Sequence, residues 1–150
     1  MEPRINFLEK GQNAIKSLYG IGGYLAKSSL EKPLRELVAF RVSQLNGCGF
    51  CLDMHSKDLL ALGENPQRLY TMSAWRETPF FSERERAALA WTDAVNSFNV
   101  PDETYEEVRK QFSEEELIDL TLQISATNLW NHINIALQPV VGTYQVGVFK

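Results

Sequence analysis

The chain has 150 residues, of which 44% are hydrophobic and 23% charged, and its formal net charge is −4 at pH 7. This length is sufficient for one domain with its own core, and the composition excludes a disordered or fibrous protein. The negative charge, with no block of lysine and arginine, argues against nucleic acid or an anionic membrane surface as the main partner.

No segment of the sequence indicates export or membrane insertion. Residues 1–16 carry charges throughout and no apolar signal-peptide core, and the chain has no run of about 18 apolar residues. We therefore expect a cytoplasmic protein that does not enter membranes. In that reducing compartment, a close pair of cysteines is more often catalytic or metal-binding than a structural disulfide.

Helical periodicity begins near the N-terminus. A weak apolar pattern predicts a helix over residues 5–19, which we expect to be broken by the glycines at positions 20, 22 and 23. The Ser-Ser-Leu-Glu sequence at residues 28–31 fits a capping box, which predicts that the next helix begins there.

The following segments form the predicted core of the fold. Residues 34–45 are apolar on most faces, which is typical of a buried helix. A second helix is predicted from about residue 48 to 62, where Gly63 ends it. The two segments form a helical hairpin, and a short helix over residues 67–75 follows.

The second half of the sequence also predicts helices. Capping boxes at Ser82 and Ser113 begin two of them, and Pro101-Asp102 begins another between these. The helix after Ser113 is long and apolar, and it is predicted to run to about Leu137 before Pro139. We predict an all-α fold in a single domain, residues 1–150.

The predicted domain has its core at about residues 30–137 and a C-terminal tail at residues 138–150. The tail is apolar, rich in valine and aromatic residues, and we expect part of it to be extended. Such a tail is consistent with an arm between subunits and equally with a segment folded back on its own core.

The most informative motif is Cys48-Gly-Phe-Cys51 followed by His55. The chain has two cysteines and two histidines, and both cysteines and one histidine fall within this short stretch. On a helix, positions three and four residues apart share one face, so the three side chains form a stripe. A thiolate is the nucleophile in cysteine chemistry, and a nearby base and a helix N-terminus both favour it. The stripe therefore predicts a nucleophile, a second thiol and a base.

A base of this kind needs a group that orients it, and Glu36 is the best candidate. It lies in a helix expected to be buried, where a carboxylate is costly unless it has a partner. An imidazolium at His55 is one such partner. The alternative is a salt bridge from Glu36 to Lys32 or Arg41.

Other interpretations of these residues remain open. A Cys-x-x-Cys pair is sometimes half of a zinc site, which would need two further ligands from His55, His132 or carboxylates. His55 is alternatively an ordinary surface histidine. For His132, among the asparagines at positions 128, 131 and 134, we favour a buried hydrogen-bonded polar cluster.

The full spacing resembles a known signature. Glu36, eleven residues, Cys48-x-x-Cys51, three residues and His55 are similar to the motif of the alkylhydroperoxidase AhpD-like branch of the carboxymuconolactone decarboxylase family. The resemblance covers roughly residues 30–137. It implies an AhpD-like helical bundle, a homo-oligomer (trimer or hexamer), and no metal or organic cofactor.

The resemblance also implies roles for the site residues. Cys51 would be the thiol activated through His55 and Glu36, and hydroperoxide would oxidise it to a sulfenic acid that condenses with Cys48. A dithiol or thiol-protein reductant would then exchange with the disulfide, through a Cys48 that we expect to be the more exposed sulfur. In well-known members a histidine occupies the position of Phe50, so this chain lacks one proton donor.

Two other functions are rivals to the peroxidase or disulfide-exchange reading. The first is a decarboxylase of the lactone type, although that branch generally lacks the cysteine pair. The second is a non-enzymatic thiol sensor or a zinc module.

Overall fold

The computed structural model describes residues 2–148, and all regular secondary structure within that range is helical. The all-α prediction is therefore confirmed. The elements, in chain order, are α1 (Phe7–Lys10), α2 (Gln12–Leu25), α3 (Lys32–Asn46), α4 (Gly49–Ala61), α5 (Pro66–Tyr70), a 3-10 helix (Met72–Glu77), α6 (Glu83–Asn96), α7 (Asp102–Arg109) and α8 (Glu114–Leu137).

Helix α3 lies at the centre of the bundle, and it packs against α4, α6 and α8. Its buried side chains contribute to two apolar clusters. Val38 and Val42 lie in one cluster with residues of α6, α7 and α8. Leu37 and Phe40 lie in the other, with residues of α4, the 3-10 helix and α6. A helix that is apolar nearly all round can be stable only in such a position, as its sequence predicts.

The capping boxes at Ser82 and Ser113 are both present. Each serine side chain accepts a hydrogen bond from the backbone N–H of the glutamate three residues later, and the carboxylate of that glutamate accepts one from the serine backbone N–H. Both arrangements satisfy backbone donors that the first helical turn leaves unpaired. The long helix α8 ends at Leu137, as predicted.

Two predictions near the N-terminus are wrong. Helix α2 continues through its three glycines to Leu25, because a glycine only weakens a helix, by roughly 0.5–1 kcal/mol, and α2 gains packing against α8. The predicted capping box at residues 28–31 does not form. Ser28 Oγ instead donates to the Leu25 carbonyl, and Glu31 precedes α3 without a side-chain cap.

The predicted short helix at residues 67–75 is two elements. Helix α5 ends at Tyr70, and the 3-10 helix that follows contains a non-helical backbone conformation at Ala74. Within residues 2–148, no helix combines the length and apolar character needed to cross a bilayer.

The C-terminal tail follows α8 as a series of turns against α4, and its described part contains no extended strand. Lys57 Nζ donates to the carbonyls of Gly142 and Tyr144, and the Tyr144 hydroxyl donates to Asp58. Burial and the bond to Asp58 raise the pKa of Tyr144 to about 12. Phe149 lies outside the described residues, and the role of the tail between subunits stays a prediction.

Candidate active site

The cysteine pair lies at the junction of α3 and α4. Gly47 ends α3 in the left-handed conformation, with φ of 69°, which an L-residue adopts only at a cost. Cys48 is the N-cap of α4, and its sulfur accepts a hydrogen bond from the Cys51 backbone N–H at 3.3 Å. Cys51 therefore lies in the first turn of α4, where the helix dipole favours negative charge.

A disulfide joins Cys48 to Cys51, so the structure is that of the oxidised protein. Each cysteine is only 1% exposed. The expectation that Cys48 is the more exposed sulfur is therefore wrong for this state. Val141 of the tail lies next to the cysteine turn, 3.7 Å from the position that a Cβ on Gly49 would occupy.

His55 lies one turn after Cys51 on α4 and faces Glu36 on α3. The distance from His55 Nδ1 to Glu36 Oε2 is 2.9 Å, and both side chains are mostly buried. Burial alone would raise the pKa of Glu36, but the hydrogen bond and charge of His55, with the charges of Lys32 and Arg35, hold that pKa below its ordinary value. The predicted contact between the base and its carboxylate is thus present.

The alternative ion pair from Glu36 to Arg41 does not form. Arg41 Nε instead donates to Asp93 Oδ1 on α6 at 2.7 Å. Lys32 does not form an ion pair with Glu36 either. It lowers the pKa of Glu36 only through its charge at longer range.

Asn134 on α8 is a site residue that the sequence interpretation missed. Its amide Nδ2 donates to the Cys51 sulfur at 3.3 Å, and Asn134 is buried. Its Oδ1 is also buried and has no hydrogen-bond partner. The signal in the sequence was its position three residues after Asn131, which places the two amides on the same side of α8.

The other polar residues of α8 separate into two groups. Asn128 and Asn131 both accept from Asn46, and Asn131 also donates to Ser43, which makes the predicted buried polar cluster. His132 is exposed and does not belong to it.

A cavity of about 290 Å³ lies between α2, α3, α4 and α8 beside Cys51. It is lined by Cys51, His55, Glu36 and Asn134 together, whereas Cys48 lies outside its lining. The rest of the wall is mainly apolar and comes from α1, α2, Phe50, Met54 and Trp130. Of the two cysteines, the cavity therefore adjoins Cys51.

No group of three or more histidine, cysteine, aspartate or glutamate side chains within residues 2–148 is arranged to hold a metal ion.

Comparison with protein families gives a match to the carboxymuconolactone decarboxylase family over residues 12–94. Among curated proteins, the chain is 41% identical to the uncharacterized protein YdfG of Bacillus subtilis (strain 168) over 140 residues, which cover 91% of this chain and 95% of YdfG. It is 31% identical to the uncharacterized protein YnjA of Escherichia coli (strain K12) over 113 residues, covering 74% of this chain and 62% of YnjA.

Solved structures show the same fold. A protein of unknown function from Agrobacterium tumefaciens, a proposed antioxidant defence protein AhpD, superposes with a TM-score of 0.91 at 36% identity, over 95% of this chain and all (100%) of that one. The debrominase Bmp8 superposes with a TM-score of 0.80 at 22% identity, over 90% of this chain and 74% of that one. The second similarity supports the helical architecture alone.

Proposed function

Because the chain belongs to the carboxymuconolactone decarboxylase family, and a relative at 36% identity is a proposed antioxidant defence protein AhpD, we propose an AhpD-like thiol oxidoreductase. It reduces hydroperoxides, or exchanges disulfides, through Cys48 and Cys51. The observation that carries the proposal is that Cys51 shares one cavity with the His55–Glu36 pair.

Cys51 is the nucleophile in this proposal. In the reduced protein His55 accepts its proton, and Glu36 orients His55 and stabilises the imidazolium. The first turn of α4 and the Asn134 amide both favour the thiolate, since each directs a positive partial charge at the sulfur.

The proposed reaction has two covalent steps. The Cys51 thiolate attacks the terminal oxygen of the hydroperoxide, the O–O bond breaks, and the alkoxide takes the proton that His55 holds. The peroxide is reduced to an alcohol, and the sulfur is oxidised to a sulfenic acid. The Cys48 thiol then loses its proton as its sulfur attacks the Cys51 sulfur. The S–S bond forms, the S–O bond breaks, and the hydroxide leaves with that proton as water.

A dithiol or a thiol protein closes the cycle by exchange, and it is itself oxidised to a disulfide. Because each cysteine is only 1% exposed, a protein reductant reaches Cys48 only if the turn or the adjacent tail moves. Cytoplasmic location and assembly into a trimer or hexamer belong to the same proposal.

Phe50 replaces the histidine that well-known members carry between the cysteines. It lines the cavity, so the replacement exchanges a polar group for an apolar wall beside the nucleophile. We expect this to lower the rate with hydrogen peroxide more than the rate with organic hydroperoxides.

The test is mass spectrometry of the reduced protein after one equivalent of hydroperoxide. Wild-type protein should lose two hydrogens as a Cys48–Cys51 disulfide that a dithiol reverses. Cys51→Ser should leave the remaining thiol unreactive, whereas Cys48→Ser should accumulate a trappable sulfenic acid. Equal labelling of the two variants would overturn the assignment of Cys51, and unchanged thiols in the wild type would overturn the peroxidase proposal.

The same experiment separates the rival functions. A thiol sensor would form the disulfide once but show no turnover when dithiol and hydroperoxide are both in excess. A lactone decarboxylase would retain its activity in Cys51→Ser.

A further inference from the structure

Arg35 is a cation on the wall of the cavity that holds Cys51. It precedes Glu36 on α3, is half-buried, and lines the same cavity. Its Nε donates to the Leu30 carbonyl at 3.3 Å, which anchors the base of the guanidinium. Its two terminal nitrogens, Nη1 and Nη2, have no acceptor among residues 2–148.

This environment differs from that of the other arginines in the described part of the chain. Five of them form ion pairs with carboxylates: Arg41, Arg68, Arg76, Arg84 and Arg109. The remaining two, Arg4 and Arg86, donate to backbone carbonyls through their terminal nitrogens. Glu36, the carboxylate nearest in sequence that lines the cavity, bonds to His55 instead. Arg35 therefore presents two terminal nitrogens without acceptors, in a planar guanidinium whose geometry matches that of a carboxylate.

The remaining wall of the cavity is suited to an apolar body. Phe50, Met54, Trp130 and Leu18 line it together with Arg35. Its volume of about 290 Å³ is large for hydrogen peroxide alone and approaches the lower end of small-molecule pockets, roughly 300 Å³.

We propose that the cavity binds an apolar carboxylic acid, with the carboxylate on the Arg35 guanidinium and the hydroperoxide group toward Cys51. This deepens the proposed function and rests on it for the reaction, although the binding of the carboxylate does not depend on turnover. Arg35 is then the residue that selects anionic organic hydroperoxides over neutral ones, because charge-assisted bonds to a carboxylate are among the strongest that a side chain makes.

The kinetic test compares two substrates that differ by one carboxylate group: cumene hydroperoxide and its para-carboxylate. In wild-type protein, kcat/KM for Cys51 oxidation should be about tenfold higher for the carboxylate. Arg35→Gln should remove this preference, and Arg35→Lys should restore part of it. The ratio of the two substrates cancels any effect of Arg35 on the reactivity of Cys51 itself.

Lys32→Gln is the matched control. Lys32 also acts on Glu36 through its charge but does not line the cavity, so this variant should keep the tenfold preference. Equal kcat/KM for the two substrates in wild-type protein, or a preference that survives in Arg35→Gln, would overturn the proposal.

Calorimetry with the para-carboxylate of cumyl alcohol gives a readout without turnover. Wild-type protein should bind it about tenfold more tightly than Arg35→Gln does. If neither hydroperoxide oxidised Cys51, the proposed function would fail while this binding difference still supported the carboxylate site. Equal binding by the two proteins would overturn the carboxylate site whatever the kinetics.

Discussion

The amide of Asn134 on α8 donates a hydrogen bond to the Cys51 sulfur on α4 at 3.3 Å, across 83 positions of the chain. The bond lies inside the bundle, where the low dielectric strengthens it. It places a neutral donor at the sulfur, next to the His55–Glu36 pair.

Replacing Asn134 by leucine removes this donor at similar volume. We expect the pH midpoint for alkylation of Cys51 in the reduced protein to rise, because a donor at the sulfur favours the thiolate. The measurement is the iodoacetamide rate against pH in a Cys48→Ser background. Asn128→Ala, which alters the neighbouring polar cluster without a bond to Cys51, should leave the midpoint unchanged. A midpoint that moves equally in both variants would assign Asn134 a structural role.

Glu36→Gln should also raise that midpoint, since the neutral amide stabilises an imidazolium at His55 less than a carboxylate does. We expect the hydrogen bond to survive and the charge effect to be lost. Glu31→Gln, on the surface before α3, is the control. An unchanged alkylation profile in Glu36→Gln would contradict the relay.

Asp93 is the hydrogen-bond acceptor and counter-charge of the buried Arg41 guanidinium. Arg41 is 7% exposed and donates to both carboxylate oxygens of Asp93, while Arg76 and Trp75 donate to Oδ2. Asp93→Asn should lower the free energy of unfolding by about 3 kcal/mol in urea titrations, because it leaves a buried charge without its counter-charge. Arg76→Gln should cost less than about 1 kcal/mol, because Arg76 is largely exposed.

The contribution of Asp93 to the free energy of unfolding should also depend on pH. Burial alone would raise the pKa of Asp93, but the hydrogen bonds from Arg41 and Arg76 hold that pKa below its ordinary value. The stabilisation is then complete above the unfolded pKa of about 3.9 and is lost as the pH falls through the lower folded value. A difference between wild type and Asp93→Asn that stayed constant down to about pH 2 would contradict this.

Replacing either of two glycines with open surroundings by alanine should change the free energy of unfolding, in opposite directions at the two positions. A Cβ at Gly20 or at Gly63 would meet no atom within 4 Å, but Gly63 has φ of 90° whereas Gly20 is helical. Gly20→Ala should raise the free energy of unfolding by about 0.5–1 kcal/mol. Gly63→Ala should lower it by about 1–2 kcal/mol. Destabilisation by Gly20→Ala would show that α2 needs flexibility or a close contact in an assembly.

Local sequence patterns predicted most of the helices. The apolar face of α3, the capping boxes at Ser82 and Ser113 and the end of α8 depend on residues within a few positions of one another. Where two local signals compete, the prediction is wrong, as in α2, where three glycines oppose a weak amphipathic pattern. Packing against α8 provides the stability that the local sequence lacks.

By itself, the sequence determined that Cys48, Cys51 and His55 lie close together, because helical geometry converts short spacings into neighbours. The cost of a carboxylate in a buried helix predicted a cationic partner for Glu36, but His55, Lys32 and Arg41 all remained candidates. Only the tertiary structure decided that Asn134 reaches Cys51, that Arg41 pairs with Asp93, and that Arg35 shares a cavity with the nucleophile. Those contacts join helices far apart in the chain, and their geometry follows from how the bundle packs as a whole.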